Sequence, residues 1–393
     1  MKLLAVVGAR PNFMKVAPIL WEAKKHPDLD FFLVHTGQHY DRRMSQLFFE
    51  QLNLPRPDID LGVGSGSHAA QTAEVMKRFE PVIQEHRPDV VLVVGDVNST
   101  LACALTAVKL GCVVAHVEAG LRSFDRSMPE EINRVLTDQI SRWLFVTEQS
   151  GLDNLQREGI AGDRVFFVGN VMIDTLLAFR EKCEQSLILE DLGLKEKDYA
   201  VLTLHRPGAV DEPDILQGII SAIRRLQDEL PIVFPVHPRT GKALNGQLGD
   251  SMPNLRLTEP LGYLDFMKLI VHARMVLTDS GGLQEETTFL GVPCLTLRNN
   301  TERPVTVEQG TNRLVGLDPD RIIEASMEVL SKPFAPRCIP PLWDGGTASR
   351  IVSILRREVQ LEKGIGAHGL GANSKKIDWE ATASSCPPKE FVF

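Results

Sequence analysis

Short apolar runs rich in Val, Leu and Phe recur along the chain, separated by longer stretches with helical spacing. In the first half they are Leu3–Val7, Phe31–Val34, Val90–Val94, Val113–Val117, Leu144–Val146 and Val165–Val168. In the second half they are Ala200–Leu204, Ile232–Val236, Leu255–Leu257, Met275–Leu277, Cys294–Leu297 and Leu314–Val315. Runs that are apolar throughout, not alternating, mark strands buried on both faces of a parallel sheet. Stretches such as 12–24, 69–86, 100–110 and 284–290 supply the covering helices. Two such series predict two doubly wound, Rossmann-like α/β domains with a cleft between them. The first series ends near Gly169-Asn170, so the expected domains are 1–170 and 171–345. Asp344-Gly345-Gly346-Thr347 reads as a turn before a last helix over 346–361. Residues 362–393, rich in Gly, Ser, Lys and Pro without periodicity, are expected to be disordered.

With 393 residues the chain is long enough for two substantial cores, and 43 basic against 51 acidic side chains give a net charge of −8. That balance argues against nucleic acid or an anionic membrane as the main partner, while leaving room for a local anion site. The six cysteines form neither a CxxC pair nor a zinc pattern, which suits a reducing cytoplasm. No apolar run approaches the roughly 20 residues that span a bilayer. G-x-x-x-x-G-K-[ST], G-x-G-x-x-G and G-x-S-x-G are all missing. The chemistry is therefore expected to run without metal, nicotinamide or other cofactor.

Ligands of open α/β sheets bind beyond the carboxyl ends of the strands. In the first half those ends carry Gly8-Ala9-Arg10-Pro11 with Lys15, Gly95-Asp96, and His116-Val117-Glu118. In the second they carry His205-Arg206, His237-Pro238-Arg239, Asp279-Ser280-Gly281-Gly282 and Thr301-Glu302-Arg303-Pro304. One rim is acidic; the other offers histidine, hydroxyl, glycine and arginine. After Asp279 the two glycines let backbone approach a ligand, and the N–H groups of the helix that begins there favour an anion such as a diphosphate. Glu286, on the first turn, is placed to accept from ribose hydroxyls. The competing reading is a tight turn with acids balancing the helix dipole. Arg10 and Lys15 lie at a helix start, where cations are disfavoured unless an anion is near. Arg303 raises the same question.

Asp96, Glu118 and the pair Glu130/Glu131 are the candidate acid/base groups. A carboxylate at a buried strand end costs free energy unless it is paired or used. Each has a structural alternative: Asp96 as cap of the following helix, Glu118 as partner of Arg122, and Pro129-Glu130-Glu131 as an ordinary helix start. His205 closes an apolar strand and offers acid/base chemistry, phosphate contact or a merely buried ring.

In order along the chain, Gly8-Ala9-Arg10-Pro11, Gly95-Asp96, His116-Val117-Glu118-Ala119-Gly120-Leu121-Arg122, Pro129-Glu130-Glu131-x-Asn133-Arg134, Gly169-Asn170, His205-Arg206, Asp279-Ser280-Gly281-Gly282-x-Gln284-Glu285-Glu286 and Thr301-Glu302-Arg303-Pro304 resemble the bacterial non-hydrolysing UDP-N-acetylglucosamine 2-epimerases. The likeness spans roughly residues 1 to 358. It implies a fold like that of the GT-B glycosyltransferases, with the C-terminal helix crossing back to the first domain. It also implies interconversion of UDP-N-acetylglucosamine and UDP-N-acetylmannosamine through loss of UDP to a bound 2-acetamidoglucal. Asp96, Glu118, Glu130 and His205 would be catalytic. Arg10, Lys15, Phe266, Ser280, Gly281, Gly282, Glu286, Arg303 and Arg206 would hold the nucleotide sugar. Gln38, Gln71 and His237 would belong to an allosteric site, and the chain would form a homodimer. The sequence departs from the family at Pro207-Gly208-Ala209, where a Glu-Asn pair is frequent, and at Val97-Asn98-Ser99, where threonines are frequent. A UDP-sugar glycosyltransferase and an epimerase of a related UDP-diacetamido-uronic acid are the alternative activities.

Overall fold

The computed structural model describes residues 1–37, 56–244, 252–332 and 338–367. Two all-parallel sheets account for the two apolar series. The first comprises β1 (Lys2–Val7), β2 (Asp30–His35), β3 (Ile59–Asp60), β4 (Val90–Val94), β5 (Val113–Ala119), β6 (Trp143–Val146) and β7 (Val165–Phe167), in the order β3-β2-β1-β4-β5-β6-β7. The second comprises β8 (Ala200–Thr203), β9 (Ile232–Pro235), β10 (Leu255–Thr258), β11 (Met275–Thr278), β12 (Cys294–Thr296) and β13 (Asn312–Leu314), in the order β10-β9-β8-β11-β12-β13. The fold is the GT-B-like arrangement of two Rossmann-like sheets.

The central strands are buried on both sides because helices cover both faces, and every residue of β4 is inaccessible to solvent. In each sheet the direction of winding reverses at one place, between β1 and β4 and between β8 and β11. Neighbouring strands there send their connections to opposite faces, and the gap between the connections receives ligand. The sheet order thus fixes which strand ends face a substrate.

The helix Thr347–Ala367 packs back against the helices Arg10–Ala23 and Val171–Cys183. Ala348, Ile351, Val352, Leu355 and Val359 line one helical face and join the core that also contains Phe13, Ala17, Leu20 and Leu176. Fully burying each larger side chain contributes about 1.5–3 kcal/mol. Its start is capped from a distance: Asp174 accepts from the Thr347 and Ala348 amides at 3.3 and 2.7 Å. The helix continues past Leu361, where the apolar periodicity ends and disorder was expected. Glu362 pairs with Arg142 and Lys363 with Asp89, so polar contacts carry the final turns. No helix among the described residues is long and apolar enough to cross a membrane.

Candidate functional site

The first rim forms where β1 and β4 end side by side. The Gly8 and Ala9 amides donate to Asn12 Oδ1 at 3.1 and 2.9 Å, and Asn12 Nδ2 donates to the Val94 carbonyl at 3.0 Å. A single side chain thereby ties the start of the helix Arg10–Ala23 to the end of β4. One turn on, Lys15 is buried and ion-paired with Glu118 at the end of β5. Glu118 has φ +70°, and β5 shifts register against β6 between Val117 and Ala119. A glutamate in the left-handed region costs of the order of 1–3 kcal/mol, which the surrounding contacts must offset. Gly95 at φ +67° comes so close that an added Cβ would sit 3.0 Å from Lys15 Nζ.

Asp96 follows Gly95 and pairs with Arg134 on the helix Pro129–Ile140. Burial favours the neutral acid, but the charges of Arg134, Lys15 and Arg303 outweigh it and hold Asp96 below the usual carboxylate range. It caps nothing: the following helix starts at Asn98 with Val97 as its cap residue. Glu118 likewise does not pair with Arg122, which contacts Asp138 and Glu158 instead. The pair Glu130/Glu131 divides. Glu131 is buried and accepts from the Ser123 and Phe124 amides at 2.9 Å each and from Arg134 at 2.7 Å. Glu130 stays half-buried, and no ion pair to it is found among the described residues.

The second rim repeats the device where β8 and β11 end. Asp279, fully buried, accepts from the His205 and Arg206 amides at 2.7 Å each. Its other oxygen lies 2.7 Å from His205 Nδ1. Burial opposes the charge on Asp279, yet His205 and the two amides keep it below its ordinary value, so it remains a carboxylate. Nδ1 then faces the carboxylate with its proton, leaving Nε2 as the second nitrogen of a side chain that is 40% exposed. Ser280 precedes the helix Gly281–Leu290 without capping it by its side chain. A Cβ on Gly281 would lie 2.5 Å from both Arg303 Nη1 and Glu302 Oε1, whereas one on Gly282 would meet nothing within 4 Å. Gly281 is therefore required by its neighbours, and Gly282 faces open space.

Arg303 joins the rims. It is buried, 2.9 Å from Glu285 through Nε and 2.5 Å from Glu302 through Nη1, with Nη2 3.9 Å from Glu118 of the first domain. Around it the acids split in behaviour. Burial works against the charge of Glu302, but Arg303, Arg298, Arg206 and Arg134 hold it well below its usual value. Burial, reinforced by the charge of Glu118, pushes Glu285 up to about 7. Burial and the charge of Glu285 push Glu286 up to about 8.

The two helix-start cations meet different surroundings. For Lys15 the facing anion is Glu118 itself, and Arg303 has three carboxylates; the Arg10 side chain lies outside the described part. Arg206 reaches Glu302 at 3.8 Å. Phe266 is half-buried and packs against the apolar cluster that includes Leu269 and Leu283. Among the three allosteric candidates, Gln38 lies outside the described residues. Gln71 is buried and bonded to the Gly64 carbonyl and to Asn98 at 3.0 and 2.8 Å. His237 is brought beside His205, ring centres 5.9 Å apart. Sequence reasoning gave no part to Asp279 beyond its place in the glycine turn, nor to Arg134 as the partner of Asp96. The Lys15–Glu118, Asp96–Arg134 and His205–Asp279 pairings join residues dozens of positions apart, which no local spacing reveals. Among the described residues no three His, Cys, Asp or Glu side chains converge as metal ligands would.

A family model described as UDP-N-acetylglucosamine 2-epimerase matches residues 22–356. The UDP-N-acetylglucosamine 2-epimerase of Methanocaldococcus jannaschii is 44% identical over 364 residues, covering 90% of this chain and 99% of its own. The crystal structure of that archaeal enzyme in complex with UDP-GlcNAc and UDP superposes with a TM-score of 0.85 at 43% identity, covering 91% of this chain and all of that one. The UDP-2,3-diacetamido-2,3-dideoxy-D-glucuronate 2-epimerase of Pseudomonas aeruginosa is 41% identical over 362 residues, covering 91% of this chain and 100% of its own.

Proposed function

Because the chain belongs to the UDP-N-acetylglucosamine 2-epimerase family, we propose that it inverts C2 of UDP-N-acetylglucosamine by eliminating UDP and adding it back. The C2 hydrogen has no adjacent carbonyl to acidify it, so direct abstraction is slow. Elimination avoids this: a carboxylate takes the C2 proton, the C1–O bond breaks with its electrons leaving on the diphosphate, and a C1=C2 double bond forms. Returning a proton to the opposite face of C2 while diphosphate oxygen re-attacks C1 gives UDP-N-acetylmannosamine.

The observation that carries this reading is the opposition of two unlike rims at the two reversal points. On the first, Asp96 and Glu118 are each held by a cation and Glu130 comes from the helix that supplies Arg134, and their negative charge would stabilise the positive character that develops at C1 and the ring oxygen. Glu130, without an ion pair among the described residues, is the carboxylate freest to carry a proton. On the second, His205 Nε2, Arg206 and the amides of the turn at Ser280–Gly282 meet the diphosphate as it leaves and keep it for re-addition. Glu286, pushed up to about 8, is a neutral acid at neutral pH and able to donate as well as accept toward a ribose.

Proton NMR of the protein with UDP-N-acetylglucosamine in heavy water tests the scheme. Signals of UDP-N-acetylmannosamine should grow in, with deuterium at C2 of both sugars; epimerised product carrying ordinary hydrogen there would refute elimination. The 41%-identical Pseudomonas relative motivates a parallel run with UDP-2,3-diacetamido-2,3-dideoxyglucuronate. Turnover of that sugar alone would replace the substrate while leaving the chemistry.

A further inference from the structure

We propose that His116 is a buried imidazolium, protonated on both ring nitrogens, and that it is a positioning residue holding the Asp96 and Glu118 turns in one fixed relation. His116 lies on the central strand β5 and is wholly inaccessible to solvent. Its Nε2 is 2.8 Å from the Gly95 carbonyl oxygen and its Nδ1 is 2.7 Å from Asp138 Oδ1. A carbonyl only accepts, so Nε2 carries hydrogen. The second oxygen of Asp138 accepts from the Gly120 amide at 3.0 Å and is ion-paired with Arg122 at 2.7 Å. Those partners favour a carboxylate, and a carboxylate Oδ1 only accepts, so Nδ1 carries hydrogen too. A neutral ring has one N–H and would set a lone pair against an acceptor in a site closed to solvent. Burial works against the charge on Asp138, but His116, Arg122 and the Gly120 amide hold it below its ordinary value. The charges balance: His116 and Arg122 face Asp138 and Glu158, the latter gripping Arg122 at 2.7 Å through both oxygens.

The placement gives this cation its purpose. Gly95 immediately precedes Asp96, and Gly120 stands two residues after Glu118. Both glycines sit in the left-handed region, at φ +67° and +82°, where a turn is free to flex. Asp138 pins the second directly and the first through the His116 ring. The helix that supplies Asp138 also supplies Glu130 and the Arg134 that holds Asp96. One helix thus references every acid of the first rim, and a shift of about 1 Å in such a group costs on the order of 10²-fold in rate.

The positioning role rests on the reading of Asp96 and Glu118 as reacting groups; the protonation state does not, so the two are tested apart. Full-length protein labelled with 15N-histidine, with His116 assigned by its loss in H116N, should show both ring nitrogens protonated at neutral pH. D138N should leave one of them bare. A wild-type His116 with one unprotonated nitrogen at neutral pH overturns the assignment. In turnover, His116→Asn keeps a group facing Asp138 but cannot reach the Gly95 carbonyl, whereas His116→Gln reaches Gly95 and loses Asp138. H116N should lower kcat on the order of 10²-fold with KM changed less than about 3-fold, and H116Q should recover part of the loss. Wild-type kcat in a folded H116N, or an equal rise in KM instead, refutes the positioning role even if the imidazolium is found.

Discussion

Glu148 follows β6 of the first domain and is almost wholly buried, beside Glu285 and Arg303 of the second. Ser150 donates to its Oε1 at 2.5 Å, and burial pushes its carboxyl up to about 8, with the charge of Glu285 adding to the rise. In the unfolded chain the same group loses its proton near 4.5. A folded-state pKa above the unfolded one means that Glu148 contributes fully to stability below about pH 4.5 and that the contribution drains away as pH rises toward 8. At about 1.4 kcal/mol per pH unit, that window corresponds to about 5 kcal/mol, an upper figure because the site relaxes and admits water when it ionises. Glu148→Gln keeps the shape and the acceptor for Ser150 but has no proton to lose. The extra buried N–H it introduces costs about 1–3 kcal/mol at any pH. E148Q should therefore be equal to or less stable than wild type at pH 5 and more stable by on the order of 2 kcal/mol at pH 8. Calorimetric unfolding of both proteins across that range measures the crossing directly. Parallel stability profiles, with no pH at which the order changes, would show that Glu148 is not a buried neutral acid.

Asp96→Asn should fold normally yet lower kcat by at least about 10²-fold, measured by steady-state epimerisation with a thermal melt as the control for folding. Asp279→Asn removes the charge that fixes the His205 proton on Nδ1; kcat should fall about 10²-fold and the pH–rate profile should change shape, whereas an unaltered profile would show that His205 is indifferent to its partner. Gly281→Ala places a methyl 2.5 Å from Arg303 and Glu302, so titration calorimetry should show UDP binding weakened at least about 10-fold, in contrast to Gly282→Ala, whose Cβ has no neighbour within 4 Å.

The chain on its own declares two series of parallel strands, because a strand buried on both faces must be apolar at every position and short β-branched runs such as Val90–Val94 recur between helical stretches. It also declares which polar residues stand at strand ends, and its motifs carry the family likeness that the comparisons bear out. It does not declare partners. Glu118 finds Lys15, 103 residues away, in place of Arg122 nearby, because β1, β4 and β5 are neighbours in the sheet. Asp279 finds His205 for the same reason on β8 and β11, and a separation of 74 positions hides it. Nothing local predicts that Glu118 adopts φ +70° or that Glu131 is consumed by loop amides while Glu130 stays unpaired. Local composition fixes burial and periodicity, which are short-range consequences of the hydrophobic effect. The order of strands fixes which charges share a desolvated space, and in that space a carboxylate becomes a structural tie, a neutral acid or a group able to move a proton.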